Sequence, residues 1–370
     1  MNKAGGVIRV LVVDDSALAR KLFGGVLAAE PDFEVMLARN GLEALEQLEQ
    51  FRPNVITLDV EMPKMNGLEC LDRIMVQRPC PVVMVSSLTT EGAEATLEAL
   101  RLGAVDYVAK PDGAVSLRMG TFAPTLVEKV RTASVAKLSR SKRLRERVQH
   151  RIGAARSERP ARRGAAGDGV AAPAAGEGLV VVGTSTGGPP ALEALLAPLP
   201  EAFPWPIVIA QHMPANFTGP LSRRLDSLCA IRVQEVVGPV ALQPGCAYIG
   251  RGDADVIISR RPTGLIAMTA PTQRNYPWHP STDRLVKSAM EHVAADQLIG
   301  VLMTGMGDDG ATAMAALHAA GGRTIAEAED TAVVWGMPGE LVKAGGAGWI
   351  EPLPNIAARL LKLVPHAAHS

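Results

Sequence analysis

The chain has 370 residues, 47% hydrophobic and 21% charged, with 38 basic and 38 acidic side chains. At roughly 150 residues per domain this is too long for one ordinary core, and the apolar content excludes disorder of the whole chain. Four cysteines, Cys70, Cys80, Cys229 and Cys246, lack CxxC or zinc-like spacing, which excludes a disulfide framework and fits a reducing compartment.

The N-terminal MNKAGGVIRVLVVDD meets acidic residues too early for a secretory segment, and no apolar run reaches the ~18 to 20 residues of a membrane span. A cytoplasmic protein without membrane insertion is expected.

Residues 8 to 110 alternate short apolar runs, IRVLVVDD, FEVML, NVITLD, PVVMVSS and AVDYVAK, with amphipathic stretches. This rhythm predicts a parallel sheet with helices on both faces, and continuously apolar strands are what burial on both faces requires. In such sheets ligands bind beyond the carboxyl ends of the strands. Asp14 and Asp15 end the first strand, Asp59 the third, Ser86 the fourth and Lys110 the fifth, so all five should meet at one rim. Crowded carboxylates repel unless a hard cation neutralises them, which points to Mg2+ held by Asp14, Asp15 and Asp59. A lysine and a hydroxyl beside them suit an incoming phosphoryl group, with Asp59 as its acceptor.

Taken singly, each Asp reads more readily as a helix cap than as part of a site. The five positions in order, with DVEMPKMNG at 59 to 67 and the Lys110-Pro111 dipeptide, resemble a response-regulator receiver domain. The resemblance implies Asp15 as a direct Mg2+ ligand and Asp59 as the phosphoacceptor, with Ser86 as switch hydroxyl, Tyr107 as switch aromatic and Lys110 as phosphate-binding lysine. It also implies a histidine kinase as donor.

From about 125 to 150 the composition stays helical, and then AARSERPARRGAAGDGVAAPAAGEG turns to Ala, Gly, Pro and Arg. Residues 131 to 178 hold 12 Lys or Arg against 4 Asp or Glu. With almost no large apolar side chain, this stretch cannot offset its ordering entropy by burial and reads as a flexible, solvated linker. Its charge alone, without aromatic interleaving, does not make a nucleic-acid site.

Residues 179 to 355 resume the α/β rhythm with LVVVG, PIVIAQH, CAYIG, DVIIS, QLIGVLMTG and GRTIAEAE, while LIAMTA can pair antiparallel with DVIIS across RRPTG. The expected domains are therefore 1–125, a helical then Ala/Gly/Arg-rich linker over 126–178, and 179–370. The expected fold is α/β throughout: two doubly wound parallel sheets, the first flavodoxin-like, the second Rossmann-like with an antiparallel hairpin.

In VVVGTSTGGPPAL, residues 180 to 192, Gly183 to Gly187 fit G-x-S-x-G, the turn that lifts a serine hydroxyl above a sheet. They fail G-x-G-x-x-G because Ser185 stands at its second glycine; a phosphate cradle stays open from this loop alone. Among seven histidines, His212 directly ends an apolar strand on the same rim, and His279 in NYPWHPSTD is a weaker candidate base. VLMTGMGDDGA brings Asp308 and Asp309 beyond another strand, either of which can orient the base or cap a helix, and exposes amides suited to an oxyanion.

GTSTGGP, QHMPANF and TGMGDDGA in this order, behind a receiver, closely resemble the chemotaxis protein-glutamate methylesterase family. The resemblance implies Ser185 as nucleophile, His212 as general base and Asp309 as orienting acid, with Thr186 and the Met306 amide as substrate- and oxyanion-binding elements. The family usually has Asn where Asp308 stands. No cofactor is implied at the hydrolase site. The implied activity is hydrolysis of glutamate γ-methyl esters on methyl-accepting chemotaxis receptors, with deamidation of receptor glutamines, in adaptation. Control by an unphosphorylated receiver packed over the catalytic rim is implied too. Two rival classes stand beside this reading: a catalytically inert binding module, and a DNA-binding regulator, which lacks a helix-turn-helix here.

Overall fold

The computed structural model describes residues 6–87, 89–110, 119–138 and 178–364. Pro111, the linker from 139 to 177 with His150, and the tail with His366 and His369 lie outside the described residues. The chain divides into two compact units, within Met1–Leu138 and within Ser139–Ser370.

In the first unit the five apolar runs become β1 (Ile8–Val13), β2 (Phe33–Ala38), β3 (Val55–Asp59), β4 (Val82–Ser86) and β5 (Asp106–Ala109). They form a parallel sheet in the order β2-β1-β3-β4-β5. Helices α1 (Ala17–Ala28), α2 (Gly41–Gln50), α3 (Gly67–Gln77), α4 (Thr90–Leu102) and α5 (Met119–Ser134) connect or follow them. Side-chain oxygens of Ser16, Asn40, Asn66 and Thr89 cap the first four, satisfying amides that a helix start leaves open. The last, α5, runs on through Ser134 with Leu126, Val130 and Ala133 fully buried, so this part of the segment after 125 packs with the first unit. Because β1 is flanked by β2 and β3, the strand order reverses there, and the rim above β1 and β3 is the crevice where such sheets take ligands.

The second unit carries a seven-stranded parallel sheet. Its strands are β6 (Leu179–Thr184), β7 (Ile207–Gln211), β8 (Arg232–Val236), β10 (Cys246–Gly250), β13 (Leu298–Leu302), β14 (Arg323–Glu327) and β15 (Trp349–Glu351). Their order is β15-β14-β13-β6-β7-β10-β8. A separate sheet pairs β11 (Asp255–Arg261) with β12 (Gly264–Ala270) and β9 (Val240–Ala241), all antiparallel. The β11–β12 pairing, closing at Arg261 opposite Gly264, is the hairpin anticipated across RRPTG. Strand β8 escaped the sequence reading because RVQEV is an edge strand of alternating exposure, and its polar residues hide the run.

Helices α6 (Gly188–Leu196), α7 (Ala215–Leu228), α8 (Thr282–His292), α9 (Ala311–Ala319), α10 (Met337–Lys343) and α11 (Leu353–Leu363) complete this unit. The chain moves from β6 to β7 on one side and later returns to place β13 on the other. The switch point of the sheet therefore lies at β6, with three adjacent strand ends, β13, β6 and β7, around one crevice. Among the described residues no helix is long and apolar enough to cross a membrane. The four cysteines are buried and unpaired, and burial pushes the thiols of Cys70, Cys80 and Cys229 up to about 12, which removes them as nucleophiles.

Candidate functional site

The acidic cluster of the first unit forms where β1 and β3 end. One carboxylate oxygen each from Asp14, Asp15 and Asp59 lies within 4.8 Å of the others. Asp14 and Asp59 are buried and Asp15 is exposed. Lys110 places Nζ 2.7 Å from Asp59 Oδ2 and 3.1 Å from Asp14 Oδ2. Burial pushes the Asp59 carboxyl up to about 6 against the pull of Lys110, with the Asp14 charge adding to the rise. Burial would depress the Lys110 ammonium, but the Asp59 and Asp14 carboxylates outweigh it and raise its pKa. Asp14 Oδ2 is buried without a well-aligned hydrogen bond. Three carboxylate oxygens within reach of one another, all hard donors, fit a Mg2+ ion.

The other receiver positions fall beside this cluster. Ser86, fully buried at the end of β4, donates its hydroxyl to Gly92 O in α4 at 3.0 Å. Tyr107 is buried on β5 with Lys129 Nζ 5.0 Å above its ring.

In the second unit, β6 pairs with β7 so that Thr184 lies opposite Gln211, which puts Ser185 and His212 level on adjacent strand ends. The His212 amide donates to Thr184 O at 3.0 Å, and the Ser185 amide to Thr304 O, also at 3.0 Å, in the loop beyond β13. Glycines make this close approach feasible: a Cβ on Gly305 would stand 2.8 Å from Ser185 Cβ. Gly187, at φ +77°, turns the chain into α6 in the left-handed region that favours glycine.

His212 Nε2 lies 2.8 Å from Asp309 Oδ2, with both side chains less than a tenth exposed. Asp309 also accepts from Ser281 Oγ at 2.9 Å and from the amides of Thr282 at 2.6 Å and Asp283 at 3.1 Å. These donors are the N-cap and first turn of α8, where open amides and the helix dipole favour negative charge. Burial would raise the Asp309 pKa, but the bonds from His212 and from the Asp283 and Thr282 amides outweigh it, holding the carboxyl below its usual range. An ionised carboxylate only accepts, so the proton of a neutral His212 sits on Nε2 and the lone pair on Nδ1. Nδ1 is buried and makes no hydrogen bond among the described residues. Ser185 is thus adjacent to His212 in register, with its hydroxyl not bonded to the ring.

The remaining candidates separate cleanly. Asp308 is exposed, whereas Asp309, next to it in sequence, is buried. His279 bonds Asp255 Oδ1 through Nδ1 at 2.9 Å, in a network with Arg284 and the Ser281 amide, and so belongs to the support of α8. Thr186 is buried, its carbonyl accepting from Thr304 Oγ1 at 2.9 Å, and Met306 is half-buried in the TGMGDDG loop.

Several participants were not anticipated from sequence. Trp278 stacks on His212 with ring centroids 5.7 Å apart and planes 12° from parallel. Ser281 braces Asp309, and the buried Glu327 accepts the Thr304 amide at 2.8 Å. Gln211 bridges the strand ends at Ser185 and His212. A polar residue closing an apolar strand, as in IVIAQ, was the available signal for Gln211; a serine followed by an acidic first turn, as in STD, was that for Ser281.

An acidic cluster on one doubly wound sheet and a Ser/His/Asp set on three neighbouring strand ends of another are the marks of a receiver-coupled hydrolase. The family model described as CheB methylesterase matches residues 180–360, and that of the response regulator receiver domain matches residues 10–119. Protein-glutamate methylesterase/protein-glutamine glutaminase 2 of Rhodopseudomonas palustris is 57% identical over 96% of this chain and 98% of its own. The third such protein of Rhodospirillum rubrum is 50% identical over 95% of each. Among solved structures, the CheB methylesterase catalytic domain of Thermotoga maritima is 34% identical over 51% of this chain and 100% of its own, with TM-score 0.49. The chain belongs to the protein-glutamate methylesterase/protein-glutamine glutaminase family, with both its receiver and its methylesterase domains.

Proposed function

We propose that this protein hydrolyses glutamate γ-methyl esters of methyl-accepting chemotaxis receptors, releasing methanol, and deamidates receptor glutamines, under control of phosphorylation at Asp59. The observation that carries the reading is the buried Asp309–His212 pair at a strand end level with that of Ser185, with His212 Nδ1 making no hydrogen bond among the described residues. Its relatives' names supply the substrate class.

Ser185 Oγ attacks the γ-carbonyl carbon while His212 Nδ1 takes the hydroxyl proton, and Asp309 stabilises the imidazolium so formed. Thr186 and the Met306 amide are assigned to the substrate and to the negative oxygen that develops; one such donor is worth about 2.7 to 4 kcal/mol of barrier in other hydrolases. Collapse breaks the carbon–methoxy bond, and the Nδ1 proton passes to the departing oxygen to give methanol. Water then repeats the sequence on the acyl-serine, returning Ser185 and leaving a glutamate carboxylate. With a glutamine side chain the leaving group is ammonia instead.

In the receiver, Asp59 accepts a phosphoryl group from a histidine kinase through its carboxylate. Asp14, Asp15 and Asp59 would hold Mg2+, which supplies charge neutralisation for the transfer. Lys110 meets the new phosphoryl oxygens, and Ser86 and Tyr107 are assigned to the response. We assign residues up to 138 to the receiver, the segment through 177 to the linker, the rest to catalysis, and the whole to the cytoplasm.

The test is methanol release from a methylated receptor by the full chain, with and without a small-molecule phosphodonor. Wild type should release methanol and be stimulated; Ser185→Ala should release none. Undiminished release by Ser185→Ala overturns the assignment.

A further inference from the structure

Strand β7 reads IVIAQ, and its last residue, Gln211, is only 2% exposed. A buried amide is costly unless its polar atoms are bonded, and here all are engaged. Gln211 Oε1 accepts from Thr184 Oγ1 at 2.7 Å, and Nε2 donates to Ser185 O at 3.1 Å and to His212 O at 3.0 Å. Carbonyl oxygens can only accept, so the network fixes which end of the amide faces them. One side chain therefore holds the backbones of the two residues assigned as nucleophile and base.

Ser185 lies one residue beyond the β6–β7 register, and its amide donates on the β13 side, to Thr304 O, just as Gly183 O accepts there from Met303. Gln211 ties the carbonyl of Ser185 toward β7. Room for this is built in: a Cβ on Gly188 would lie 1.9 Å from Gln211 Oε1 and 2.0 Å from Thr184 Oγ1. We infer that Gln211 is a positioning residue for the hydrolysis, its buried amide setting the separation of Ser185 from His212 by holding both carbonyls. This rests on the proposed roles of those two residues.

Misplacing reacting groups by about 1 Å costs on the order of 100-fold in rate. Three variants of the full chain test the inference. Gln211→Met keeps length and burial but removes both donors; Thr184→Val removes the hydroxyl that orients the amide; Gln211→Glu offers one donor when protonated and none when ionised. The readouts are kcat and KM for methanol release, the rate of Ser185 labelling by a fluorophosphonate, and the thermal midpoint.

Gln211→Met should lower kcat and labelling together by about 10- to 100-fold with KM within about threefold, and Thr184→Val should lie between it and wild type. Gln211→Glu should recover activity toward acid pH as its carboxyl takes up a proton, a limb that wild type lacks. A kcat within twofold of wild type in Gln211→Met, or losses that follow the thermal midpoint and vanish in a cooler assay, overturn the inference. If Gln211→Met does not fold, Thr184→Val and the pH limb of Gln211→Glu decide alone, an unchanged kcat in the first with no limb in the second being the negative result. Wild type that labels but releases no methanol sinks the esterase reading only, because the labelling ratio still reports on Gln211.

Discussion

Asp309 Oδ2 meets His212 Nε2 at 2.8 Å, while its sequence neighbour Asp308 is exposed to solvent. Two adjacent carboxylates thus live in opposite environments, one gripped by a helix start and a histidine, the other hydrated. Asp309→Asn removes the acceptor that fixes the ring tautomer and should lower kcat on the order of 10³-fold or more, as in other triads. Asp308→Asn touches a solvated group and should leave kcat within about twofold. Methanol release by the two variants checks this; a larger loss in Asp308→Asn contradicts the assignment.

Gly305→Ala adds a Cβ that would stand 2.3 Å from Met337 Sδ and 2.8 Å from Ser185 Cβ. The methionine can swing aside; the serine, held by its backbone bonds, has less freedom. We expect a loss of about 1 to 3 kcal/mol in stability and a drop of about 100-fold in Ser185 labelling. Labelling at the wild-type rate shows that the loop has relaxed without moving the nucleophile.

Asp59→Asn should abolish stimulation by a phosphodonor and leave the unstimulated methanol release unchanged. Chelating Mg2+ should have the same effect on wild type, since the three carboxylates serve the receiver and the hydrolytic set contains no metal-ligand cluster among the described residues. Stimulation that survives a chelator tells against the metal assignment.

With Mg2+ removed, the raised pKa of Asp59 also predicts a pH dependence of stability. Between about 4, the unfolded value, and about 6 the folded state binds the extra proton. The slope of unfolding free energy against pH is then negative, so this group makes the receiver less stable as pH rises through that window, by on the order of 2 to 3 kcal/mol in all. Urea unfolding of wild type and Asp59→Asn across pH 4 to 7 measures it: the Asn variant should lack the slope. Parallel curves contradict the burial argument.

The strand runs and the motifs at their ends were legible because they are local. Apolar runs such as LVVVG and NVITLD report two-sided burial, and a glycine-rich turn after a strand reports a rim. Ser185, His212, Asp14, Asp15, Asp59 and Lys110 each follow directly on such a run, so their convergence needed nothing beyond the rule for parallel sheets.

What sequence by itself determined, then, is which side chains stand at the strand ends and the family to which their order belongs. Tertiary structure decided what each of them touches. His212 and Asp309 lie 97 positions apart, and Asp309 and Ser281 lie 28 apart. His279 was drawn off to Asp255, Trp278 onto the imidazole, and Gln211 across two strand ends. No local pattern encodes these partnerships, because a hydrogen bond depends on distance and direction to a group supplied by another strand or helix, and only packing sets both.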